Sequence, residues 1–216
     1  MYKVVEDKLA IDATQKCGSR TIIAYAMLIR KPKVIEENPN GFISRGSYQY
    51  TVPFEKRILL SHESAIELNY TRRLAIVRDP VSRFLSAYSN RVKFYTGSET
   101  LSVQDFIDSY ENIPNIVPHH DTLDYSNKTQ TYADAKFHMF SLVKRYGKNP
   151  NFYSGIFNLG QMNTVKEIIE DSAGKKLPDL KLNETYDEEK PALTNDQQNW
   201  IRDKFKEDIE VYGKWM

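Results

Sequence analysis

The chain has 216 residues, 40% of them hydrophobic and 27% charged, which suits a domain with a sizeable core and excludes a disordered tail. Thirty basic against twenty-nine acidic residues leave a net charge of +1, so there is no global field for nucleic acid or an anionic membrane, and any anion site must be local. A single cysteine, Cys17, rules out an intrachain disulfide and makes a reducing cytoplasm the expected location.

The opening stretch, MYKVVEDKLAIDATQKCG, scatters charges through its apolar positions and contains no apolar run of signal-peptide length. No segment nears the roughly 20 apolar residues of a membrane span, so none is expected. Short apolar runs at Leu9-Ala10-Ile11, Arg57-Ile58-Leu59-Leu60 and Arg73-Leu74-Ala75-Ile76-Val77 each lead into a polar turn and read as buried parallel strands. Thr21 to Ile29, rich in Ala, Leu and Met, follows the first run as a packed helix. Strand, turn, helix opens an α/β nucleotide-binding fold with a central parallel sheet flanked by helices.

Lys31 to Lys56, with Pro32, Pro39, Gly41, Gly46 and Pro53, reads as an irregular excursion that makes a candidate substrate lip. At Asp79-Pro80 a helix should start, with Asp capping free amides and Pro at the first helical position. Val81, Phe84, Leu85, Tyr88 and Val92 follow at helical spacing as its core face, leaving Ser82, Ser86 and Asn90 on another side. The polar stretch Glu111 to Tyr132 reads as a long surface loop. A helix is expected over Gln161 to Ser172, closed by Gly174. A last one starts from a capping box at Thr194 and Gln197 and carries Ile201, Phe205, Ile209 and Tyr212 inward. No repeat or low-complexity linker divides the chain, so residues 1–216 are expected to form a single domain. Glycosylation sequons at Asn69, Asn127 and Asn183 are short patterns of little weight.

Two segments carry anion chemistry. Lys16-Cys17-Gly18-Ser19-Arg20-Thr21 sits between a strand and a helix, where a glycine turn aims backbone N–H groups at one spot and lysine, serine and threonine add donors. It lacks the Walker order, because its lysine precedes its glycine; taken alone, an ordinary turn with a surface lysine remains an equal reading. In Arg78-Asp79-Pro80-Val81-Ser82-Arg83-Phe84-Leu85-Ser86-Ala87-Tyr88, Arg78 stands at a strand's end and Ser86 roughly 12 Å further along the helix axis at 1.5 Å per residue. The long forked side chain of Arg78 can span that reach to a shared phosphate; pairing of Arg78 with Asp79 or another acid is the alternative.

Together these segments resemble the paired signature of the 3′-phosphoadenosine 5′-phosphosulfate (PAPS)-dependent sulfotransferases, closest to the carbohydrate branch. The resemblance implies a P-loop-like sulfotransferase fold. It also implies that Lys16, Cys17, Gly18, Ser19, Arg20 and Thr21 hold the donor's 5′-phosphosulfate, while Arg78 and Ser86 hold its 3′-phosphate. His62, just past the expected strand Arg57–Leu60, matches the position of the family's catalytic histidine. The implied reaction is in-line transfer of sulfonate from PAPS to a hydroxyl, most naturally on a carbohydrate, with His62 as base and Lys16 as catalytic cation. Its other product is 3′-phosphoadenosine 5′-phosphate. Glu63 adjoins His62 and is a rival for the base.

Pro118-His119-His120-Asp121 invites a metal reading, but adjacent ligands seldom converge on one ion, and no metal is expected; a loop facing substrate or solvent is favoured. His138 reads as structural. Two other classes remain in play: a P-loop kinase or NTPase, which should carry Gly-Lys-Ser/Thr, and a non-catalytic nucleotide- or glycan-binding module.

Overall fold

The computed structural model describes residues 1–30, 69–93, 102–114, 127–180 and 190–216. Their contacts form two units, each assembled from separate stretches of chain. One comprises Met1–Val77, Asn149–Glu184 and Trp215; the other comprises Arg78–Lys148, Thr185–Lys214 and Met216.

The first unit holds a four-stranded sheet in the order β1-β2-β3-β4, from strands β1 (Tyr2–Val5), β2 (Leu9–Ala13), β3 (Arg72–Val77) and β4 (Gly155–Asn158). β2 and β3 are parallel neighbours, with Leu9 opposite Arg72 and Ala13 opposite Ile76, and β4 runs parallel to β3 from Leu74↔Gly155 to Val77↔Asn158. The two apolar runs expected as buried parallel strands therefore are so; all five residues of β2 are buried. β1 is antiparallel to β2, joined to it through a turn in which Asp7 adopts φ 56°. The third expected strand, Arg57–Leu60, and the excursion over Lys31–Lys56 lie outside the described residues.

Helix α1 (Ser19–Arg30) packs on β1 and β2, burying every residue from Ile22 to Met27. A run buried on all sides needs no amphipathic spacing. Helix α6 (Met162–Ala173) packs against β1 and β4 and ends, as expected, at Gly174, whose φ of 67° is the left-handed cap that a residue with a Cβ resists. Beside this end Glu170 accepts from the Leu177 N–H at 2.8 Å and from Lys176 Nζ at 2.9 Å. The backbone bond first, then the lysine, holds its carboxyl below the usual carboxylate range.

The second unit is helical in its described residues. α2 (Pro80–Tyr88) starts as the sequence predicts: Asp79 accepts from the Ser82 N–H at 2.9 Å and Pro80 takes the first turn. After Tyr88 the helix widens into a π turn, Ser89–Lys93, rather than continuing as α-helix through Val92. Phe84, Tyr88 and Val92 are buried as expected, Val81 and Leu85 only half-buried, and Arg83, Ser86 and Ala87 are buried too.

Helices α3 (Val103–Ser109), α4 (Lys128–His138), α5 (Leu142–Tyr146), α7 (Asn195–Lys204) and α8 (Lys206–Tyr212) complete this unit. Its core is aromatic. Phe106 is ringed edge-on by Phe84, Tyr88, Tyr110 and Tyr132 at centroid distances of 5.8, 6.2, 5.7 and 5.0 Å, the tilted geometry that ring quadrupoles favour. Burial pushes the Tyr88 and Tyr110 phenols up to about 12, and raises that of Tyr132 as well.

Two expectations change here. The surface loop does not extend to Tyr132, because the Asn127 side chain accepts from the Thr129 and Gln130 N–H groups at 3.0 and 3.2 Å and starts α4 there, leaving Tyr132 2% exposed. The last helix does begin with a reciprocal capping box at Thr194 and Gln197, but it breaks at Phe205 (φ −109°, ψ 26°). The restart turns Asp208 and Tyr212, four residues apart, to the interior and leaves Ile209 half-buried.

Candidate functional site

The Lys16–Thr21 segment follows β2 directly. The Cys17 N–H donates to the Thr14 carbonyl at 3.0 Å, closing a tight turn, and the Ile22 N–H donates to the Gly18 carbonyl at 3.1 Å as the first bond of α1. Within this turn Lys16 has φ 62° and Gly18 φ 78°. Glycine adopts that backbone freely, whereas lysine does so at a steric cost of roughly 1–2 kcal/mol. A left-handed lysine is the kind of local strain that folds keep at working sites. Its neighbours sit at the N-terminus of a helix of 12 residues, whose dipole favours an anion.

Gly18 is also held from outside the turn: a Cβ there would lie 3.1 Å from Leu159 Cδ1 and 3.3 Å from Met162 Sδ, at the start of α6. Cys17 is wholly buried, while Lys16, Ser19, Arg20 and Thr21 are half-buried. The turn thus rests on a packed base, with Cys17 beneath it and Leu159 and Met162 against Gly18. β2 and β3 end at the same carboxyl edge of the sheet, Ala13 opposite Ile76, the edge at which open α/β sheets place ligands.

Within the second unit, Arg78 is half-buried just ahead of Asp79, the cap of α2, and Ser86 is 7% exposed in the last full turn of that helix. Asp79 also approaches Arg202 of α7, Oδ2 to Nη1 at 3.6 Å. His62, Glu63, His119, His120 and Asp121 fall outside the described residues. His138 is buried between Arg91 and Asp134. A guanidinium only donates, so His138 Nε2 accepts from Arg91 Nη2 at 2.6 Å, and Nδ1 then carries the proton and donates to the Asp134 carbonyl at 2.8 Å. That arrangement is a satisfied interior histidine.

The sequence model of the sulfotransferase family matches residues 5–214. The chain belongs to the sulfotransferase family. Comparison with curated proteins and with solved structures gave no match. Membership supports sulfonate transfer as the activity of this sulfotransferase, and the family generally draws that group from PAPS. Among the described residues, no group of three or more His, Cys, Asp or Glu is placed to hold a metal ion, and no helix is long and apolar enough to cross a membrane.

Sequence reasoning passed over two buried acids. Asp12 interrupts the apolar β2 and accepts from the Tyr153 hydroxyl at 2.7 Å; a lone carboxylate inside a strand of buried residues was the available signal. Asp208 pairs with Arg83, 125 positions away in the chain, and no local pattern announces that partner.

Proposed function

We propose that this sulfotransferase moves a sulfonate group from PAPS to a hydroxyl of a carbohydrate acceptor, working as one domain in the cytoplasm. The observation that carries the donor assignment is the Lys16-Cys17-Gly18 turn, whose two left-handed residues precede a helix of 12 residues. In this reading the N–H groups of Gly18 to Thr21 and the Lys16 ammonium take the 5′-phosphosulfate. Arg78 and Ser86 take the 3′-phosphate, a group that ATP lacks.

His62 accepts the proton of the acceptor hydroxyl as the hydroxyl oxygen bonds to sulfur. The bond between sulfur and the bridging oxygen breaks in line, and its electron pair leaves on the phosphate of 3′-phosphoadenosine 5′-phosphate. Lys16 and the turn's N–H groups stabilise that developing charge. Positioning and fixed positive charge supply the catalysis, as in phosphoryl transfer. The family match over residues 5–214 supports both the activity and the single-domain reading, since it spans both units.

The test is calorimetric titration of wild type and Arg78→Ala with 3′-phosphoadenosine 5′-phosphate, ATP and AMP, followed by transfer assays on Lys16→Ala and His62→Ala. Selective binding of the 3′-phosphorylated nucleotide that is lost in Arg78→Ala, with transfer abolished in the other two variants, is the expected result. A preference for ATP, or undiminished transfer without Lys16 or His62, would overturn the assignments and favour a kinase-type site.

A further inference from the structure

Arg83 stands in α2 four residues after Asp79 and three before Ser86, and it is wholly buried. Its Nη2 donates to Asp208 Oδ2 at 2.7 Å, and its guanidinium lies over the Phe205 ring at 5.0 Å from the centroid. Asp208 is as deeply buried and is fully used. Oδ1 also accepts from Ser141 Oγ at 2.6 Å and from the Val143 N–H at 3.0 Å, and Oδ2 accepts from the Leu142 N–H at 2.9 Å. One carboxylate therefore caps α5, anchors α8 and grips α2. Arg83 is not fully used, because its Nε and Nη1 are buried without a hydrogen-bond partner among the described residues.

Stability alone does not explain such a pair. Two desolvated ions with donors left over cost about as much as their attraction returns, and apolar residues of similar volume often serve as well or better. A buried ion pair does impose direction, since a carboxylate already held by three other donors admits the guanidinium at one place only. What that fixes is the rotation and axial position of α2 against α8, with the Asp79–Arg202 approach on α7 as a second, looser tie. α2 is the helix that carries Ser86 and follows Arg78.

We propose that Arg83 and Asp208 are a positioning pair that holds α2 in the one register in which Ser86 and Arg78 meet a 3′-phosphate, so that the pair sets nucleotide selectivity without touching the nucleotide. The inference rests on the assignment of Ser86 and Arg78 made above.

The readout is the ratio of affinities for 3′-phosphoadenosine 5′-phosphate and AMP, measured calorimetrically beside the melting temperature. The variants are Arg83→Lys, the apolar replacement Arg83→Met/Asp208→Leu, and Ser86→Ala. The apolar replacement is expected to keep a cooperative melting transition, to bind AMP within about two-fold of wild type, and to lose about ten-fold or more of the preference for the 3′-phosphate. Arg83→Lys keeps the charge but loses the fork, and should lose preference in the same direction; it decides the matter if the double variant does not fold. An unchanged ratio in a folded Arg83 variant, while Ser86→Ala lowers it, would make the pair purely structural and overturn this inference alone. A wild-type protein with no preference for the 3′-phosphate, or a Ser86→Ala variant that keeps it, would overturn the donor-site assignment and this inference with it.

Discussion

Gly18→Ala isolates the handedness of the phosphate-type turn. At φ 78° an alanine pays roughly 1–2 kcal/mol against its Cβ, offset by roughly 0.4–1 kcal/mol from the smaller freedom of the unfolded chain. The added Cβ also meets Leu159 Cδ1 at 3.1 Å and Met162 Sδ at 3.3 Å. Both are side-chain ends, so they can yield by a few tenths of an ångström, and this crowding adds about 1 kcal/mol, the low end for overpacking. The net loss is about 1–2.6 kcal/mol, which for a protein of this size lowers the melting temperature by roughly 2–10 °C.

Thermal unfolding followed by circular dichroism, in wild-type and Met162→Ala backgrounds, separates the two contributions. Removing the methionine should relieve part of the crowding, leaving the Leu159 contact and the backbone cost in place, so Gly18→Ala should still destabilise the Met162→Ala protein, but by less. If Gly18→Ala melts with its parent in both backgrounds, the turn does not need its left-handed glycine, and the cradle geometry argued from it fails.

Thr194→Ala removes the oxygen that accepts from the Gln197 N–H and should cost about 1 kcal/mol, read as a lower denaturant midpoint at unchanged slope, with Thr194→Ser close to wild type. Phe106→Ala removes the ring at the centre of four others and should cost about 3–5 kcal/mol; a loss under about 1 kcal/mol would contradict that packing. Alkaline titration should separate the buried phenols from the rest of the 14 tyrosines. Tyr88 and Tyr110 are raised to about 12 in the folded chain, above the unfolded value of about 10. Their contribution to stability is therefore present below about pH 10 and lost as the pH rises towards 12. Near-ultraviolet absorbance should show part of the tyrosinate appearing only as circular dichroism collapses; complete ionisation near pH 10 in a folded protein would refute the burial argument.

The sequence by itself determined the features whose causes lie within a few residues. β2 and β3 are short apolar runs, the Asp79-Pro80 start of α2 and the Thr194–Gln197 box close hydrogen bonds across three positions, and Gly174 ends α6 because only the local backbone is at stake. The Lys16–Thr21 turn stands out as a candidate donor site for the same reason, as a lysine, a glycine and hydroxyls along six consecutive positions. Tertiary structure decided the rest. β1 and β4 are four residues each and become strands only because β2 and β3 offer them hydrogen-bonding edges. The last helix breaks at Phe205, where the sequence continues in good helical residues, and the restart lets Asp208 face the interior to meet Arg83 and the N-terminus of α5. A buried charge needs partners that reach it from several directions at once, and only the folded chain brings positions 83, 142 and 208 to one place.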